Sequence, residues 1–146
     1  MDATPAGAYK NILLVEDEAF IADLYAHILR RNGFEVTCAY DGDKGLELAQ
    51  SQPFDLILLD LMLPGKSGID VLEALRDPAI SPSFDQSTAI YVLTNFEEDD
   101  ITKKKLLSMA QAYLVKVYVT PQTLATMIKS TPKGSAPETP PARPLG

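Results

Sequence analysis

Four short apolar runs in this chain each end on a residue able to do chemistry. ILLV leads into Glu16 and Asp17, LILL into Asp60, IYVL into Thr94 and YLV into Lys116. Taken singly, each has an ordinary explanation: acids open solvated helices, threonine is a common strand residue, and a terminal lysine lets its ammonium reach water. Together they place three carboxylates, a hydroxyl and an ammonium at strand ends. Clustered carboxylates repel and raise one another's pKa unless a cation neutralises them. Mg²⁺ suits that task, because it takes carboxylate oxygens together with waters and phosphate oxygens. Beside such an ion Asp60 could act as a nucleophile toward a phosphoryl group. Lys116 and the Thr94 hydroxyl would then stabilise charge on the transferring oxygens.

That chemistry needs a scaffold that gathers strand ends at one edge. The patterns predict strands at residues 11–15, 34–39, 56–59, 90–93 and 113–115. Three of these are continuously apolar, as parallel strands covered on both faces require. Helical patterns fall between them. Residues 18–31 carry Ile21, Leu24, Ile28 and Phe20 at helical spacing and stop at Asn32-Gly33. Asp41 caps a helix to residue 51, and a third covers 69–76. A fourth, 98–110, opens on acids and carries Lys103, Lys104 and Lys105, a run that reads as a solvated face. Thr120-Pro121 opens the fifth, which ends near residue 129. Five strands alternating with five helices predict an α/β fold, a doubly wound parallel sheet. Ligands bind such sheets beyond the carboxyl ends of the strands.

The 146 residues suffice for one domain. Residues 1–8 read as a flexible leader and 9–130 as the domain. Residues 131–146 hold five of the eleven prolines and read as a disordered Pro-rich tail or a linker to a further domain. A formal net charge of −7 disfavours direct contact with nucleic acid or an anionic membrane. The lone Cys38 reads as a small core residue. Without a signal peptide or a long apolar span, the default expectation is cytoplasmic.

The segments LLVEDE, LILLDLMLPGKSG, VLTN and YLVK, in this order and spacing, resemble the receiver domain of two-component response regulators over about residues 9–130. The resemblance implies a flavodoxin-like sheet of order 2-1-3-4-5. It implies that Asp60 is the phosphoacceptor for a histidine kinase or phosphotransfer protein, in a reaction requiring Mg²⁺. The metal set would be Glu16, Asp17, Asp60 and the backbone carbonyl of Met62, with Asp17 a direct ligand. Thr94 and Tyr113 would be the switch pair, and Lys116 would steady the phosphoryl group. The output would be a downstream protein target or an effector domain missing from this sequence, with a stand-alone receiver the favoured form. Two alternatives stay open, a pseudo-receiver acting only as an interaction module and a Mg²⁺-dependent phosphatase with an aspartyl nucleophile. Val117, Met109, Asn95 and Lys66 depart from the family pattern. Val117 stands where proline is usual, so the Lys116–Val117 bond is expected to be trans.

Overall fold

Alternation along the strands divides the apolar residues between two faces of one sheet. In a computed structural model that describes residues 8–137, the strands are β1 (Asn11–Val15), β2 (Glu35–Ala39), β3 (Leu56–Asp60), β4 (Ala89–Thr94) and β5 (Ala112–Val115). All pairings are parallel and the order is β2-β1-β3-β4-β5. The helices are α1 (Ala19–Arg31), α2 (Gly42–Ser51), α3 (Gly68–Arg76), α4 (Asp100–Leu107) and α5 (Pro121–Lys129). The fold class and strand order are those expected.

Ile12, Leu14, Leu56, Leu58, Tyr91 and Leu114 face one core with Tyr25 and Leu29 of α1 and Leu124 and Ile128 of α5. Leu13, Val15, Ile57, Leu59, Ile90 and Val92 face the other, with Val71, Leu72 and Leu75 of α3 and Leu106 of α4. Burial on both sides explains why these strands read as unbroken apolar runs. Four of the five helix starts carry side-chain caps, α1 being the exception. Asp41 accepts from the Lys44 N–H, Ser67 from Asp70, and Thr120 from Thr123.

Three expectations need correction. The stripe of α1 that packs inward is Ala22, Tyr25, Ala26 and Leu29, while Phe20 and Leu24 are exposed and Ile21 and Ile28 only partly covered. Both stripes obey helical spacing, but only the one through Ala22 and Leu29 is buried against the sheet. The fourth helix is shorter than 98–110, because Asp99 caps it through the Thr102 N–H and residues 108–110 form turns. The chain also stays on the domain past residue 131. Thr131 is buried and donates its hydroxyl to the Met127 carbonyl, and the Lys133 ammonium pairs with Asp55 at 2.8 Å. The expected leader and the rest of the tail, residues 1–7 and 138–146, lie outside the described residues.

Cys38 packs partly buried against the first core, and burial pushes its thiol pKa up. A thiol so held stays protonated at neutral pH and is not a nucleophile.

Candidate functional site

Parity decides which strand-end residues meet. Glu16 continues the face of Ile12 and Leu14, and Asp60 that of Leu56 and Leu58. Lys116 follows Ala112 and Leu114 into a short 3₁₀ turn, Lys116–Tyr118. All three therefore emerge on the α1–α5 side of the sheet. The Lys116 ammonium donates to Glu16 Oε1 at 2.9 Å and to Asp60 Oδ2 at 3.0 Å. Leu14, Ile21, Tyr25 and Leu93 line the same small cavity.

Burial and charge act together here. Glu16 and Asp60 are almost fully buried. Desolvation first, then the neighbouring Asp60 carboxyl, pushes the Glu16 pKa up to about 8 against the opposing pull of Lys116. Burial alone would lower the Lys116 pKa, but its hydrogen bonds to Glu16 and Asp60 reverse this and raise it. The ammonium is the internal counter-ion of two converging carboxyl groups.

Asp17 is exposed, yet one oxygen from each of Glu16, Asp17 and Asp60 falls within 4.8 Å of the others. Among the described residues Glu16 Oε2 is buried without a hydrogen-bond partner. An all-oxygen set with one orphaned buried acceptor and one solvent-open carboxylate fits Mg²⁺, which keeps several of its waters. Met62 donates its backbone N–H to Asp60 Oδ1 at 2.9 Å, and its side chain is exposed.

Thr94 stands apart from this cluster. It shares the parity of Ile90 and Val92, on the opposite side of the sheet, and its hydroxyl donates to the Phe96 carbonyl at 3.0 Å. Tyr113, on that same side, donates its hydroxyl to the Phe96 carbonyl at 3.2 Å and accepts from the Glu98 N–H. One backbone carbonyl thus collects both hydroxyls. The Lys103 ammonium lies 5.4 Å from the centre of the Tyr113 ring, a cation–π contact, and Lys105 pairs with Glu73 at 3.0 Å, so two members of the lysine run do more than face solvent. Phe96 was not singled out in the sequence, since a backbone acceptor leaves no side-chain signal. Among the described residues no peptide bond is cis, so Lys116–Val117 is trans as expected, and Val117 is exposed.

Removing only the phenol oxygen should loosen the loop before α4. Tyr113→Phe is expected to speed hydrogen exchange of the Glu98 amide about fivefold, the equivalent of one hydrogen bond of about 1 kcal/mol. Exchange measured by NMR checks this. An unchanged Glu98 amide would mean that the loop holds itself.

A family model described as the response regulator receiver domain matches residues 12–129. The chain is 32% identical over 122 residues to the transcriptional regulatory protein DltR of Streptococcus agalactiae, covering 73% of this chain and 54% of that protein. It thus spans about half the length of that curated relative. A CheY-like receiver domain protein from Methanospirillum hungatei superimposes with a TM-score of 0.69 at 29% identity, over 84% of this chain and 92% of that one. The response regulator TrrA of Thermotoga maritima, solved in complex with Mg²⁺-BeF, gives 0.62 at 31% identity, over 73% and 86%.

Proposed function

Since this chain belongs to the receiver-domain family of two-component response regulators, we propose that it is a phosphorylation switch that accepts a phosphoryl group on Asp60. The donor is a histidine kinase or phosphotransfer protein. The observation that carries this reading is the Lys116 ammonium bridging Glu16 and Asp60, with Asp17 beside them.

The residues divide the work. Asp60 offers a carboxylate oxygen to phosphorus, forming a P–O bond as the donor's P–N bond breaks. The Met62 N–H holds the other geometry of that carboxylate by engaging Oδ1, and Lys116 engages Oδ2. Glu16, Asp17 and Asp60 would hold Mg²⁺, with the Met62 carbonyl as a further ligand. The ion supplies neutralisation of the carboxylates and of the phosphoryl oxygens. Once Asp60 carries the added charge, the Thr94 hydroxyl leaves Phe96 to donate toward it, and Tyr113 turns inward. The surface formed by α4, β5 and α5 changes, and a downstream protein or effector domain reads it.

Acetyl phosphate with Mg²⁺, followed by intact mass, tests the reading. One phosphoryl addition that depends on Mg²⁺ is expected. A chain that stays unlabelled would leave it an interaction module without chemistry.

Metal binding should depend on pH in a stated direction. The Glu16 pKa of about 8 lies well above the ordinary carboxyl value of 4.5, so the metal-free site holds a proton at neutral pH that Mg²⁺ must displace. Affinity is expected to rise as pH increases from 6 to 8, approaching tenfold per unit, with about one proton released per ion. Calorimetry in buffers of different ionisation enthalpy measures that release. Affinity flat across this interval would show that Glu16 does not take part.

A further inference from the structure

We propose that Gly42, the first residue of α2, is a positioning residue for the loop that follows Asp60, an inference that rests on Asp60 being the phosphoacceptor. Gly42 is buried, and a Cβ there would overlap the backbone carbonyl of Lys66. One residue further on, Asp43 Oδ2 lies 3.2 Å from the place where Gly65, with a φ of 72°, would carry a Cβ. Two successive residues of the α2 start therefore abut two successive residues of the loop. The hydrogen bonds of this loop lie at its root. Leu61 donates to the Leu93 carbonyl at 3.0 Å, Gly68 to the Leu61 carbonyl at 3.1 Å, and Met62 to Asp60 Oδ1. Gly65 and Lys66 rest on the start of α2 instead.

A backbone carbonyl cannot rotate aside as a side chain does, so any Cβ at position 42 displaces the loop itself or the helix start. Met62 belongs to that loop and its N–H holds the Asp60 carboxylate. Displacement at Lys66 thus reaches the reacting oxygen through four residues of main chain. Gly45, one turn along, supplies a contrast. The nearest atoms to a Cβ there all belong to the Val15 side chain, Cγ1 at 2.8 Å.

Hydrogen exchange of the metal-free protein and labelling by acetyl phosphate with Mg²⁺ together test the assignment. Gly42→Ala is expected to speed exchange of the hydrogen-bonded loop amides of Met62 and Gly68 about tenfold and to slow labelling about tenfold or more. Gly45→Ala is expected to lower thermal stability while leaving both readouts within about twofold of wild type. Equal loop exchange in Gly42→Ala and wild type would overturn the proposal, as would the same acceleration in Gly45→Ala. If Gly42→Ala does not fold, Asp41→Ala replaces it, fraying the same turn through loss of its bond to the Lys44 N–H. Faster loop exchange in that variant supports the proposal, and unchanged exchange overturns it. A wild-type chain that takes no label defeats the phosphoacceptor reading alone, because the exchange contrast still decides the positioning role.

Discussion

Asp60→Asn is expected to abolish phosphoryl incorporation from acetyl phosphate while the domain stays folded. The substitution keeps the shape of the side chain and an oxygen that can accept from the Met62 N–H. It removes the nucleophilic carboxylate, and an amide oxygen is no substitute for one. Lys116 keeps its partner in Glu16 at 2.9 Å, so the cluster does not lose its cation. Taking one of two facing acids out of a buried site also relieves repulsion. Thermal stability should therefore hold or rise. Intact mass reads the outcome directly, and a phosphoryl group still added to this variant would place the acceptor elsewhere.

The second large effect belongs to Lys116, and it is one of stability. Lys116→Met keeps the aliphatic stem and deletes the charge, leaving Glu16 and Asp60 facing each other without a cation. Breaking a buried pair by removing one partner costs about 3–5 kcal/mol, and here a single ammonium serves two buried carboxyl groups. The loss should depend on pH. A carboxyl whose folded pKa stands above its unfolded value favours the protonated folded state, so stability falls as pH climbs from about 4.5 toward 8. Lys116 lowers the Glu16 pKa, so its removal pushes that pKa higher and extends the fall beyond pH 8. Lys116 itself stays charged throughout this window, its own pKa being raised. Denaturant unfolding without metal should show a cost that stays level from pH 5 to about 7, where Glu16 is protonated in both proteins, and that grows as pH passes about 8, where only the wild type ionises Glu16. Added Mg²⁺ should recover part of the difference at pH 8. A cost independent of pH would assign Lys116 a packing role only.

The sequence made Glu16, Asp17, Asp60 and Lys116 legible for one reason, that each ends a strand and parallel strands end together. Strand order followed from the family resemblance. Periodicity failed on α1, where the large apolar residues Phe20 and Leu24 drew the reading away from Ala22 and Ala26. Small residues on the buried stripe add little to a hydrophobicity count. Thr94 was grouped with the carboxylates because its strand end lies at the same edge, yet one residue of parity puts it on the other side of the sheet. The Phe96 carbonyl and the contact of Gly42 with Lys66 involve main-chain atoms, which every residue type carries alike.

The partition of Glu16, Asp60 and Lys116 from Thr94 and Tyr113 across the sheet bears on how such a protein can diverge. On the proposed reading, sequence change around Glu16, Asp60 and Lys116 falls on the residues that carry the reaction. Change around Thr94 and Tyr113 falls on those that respond to it. The bridge between them is the main-chain bond from the Leu61 N–H to the Leu93 carbonyl, which ties the residue after Asp60 to the residue before Thr94. Drift in partner choice can therefore accumulate on one layer without retuning the chemistry of the other, and covariation between the layers should concentrate at that bridge.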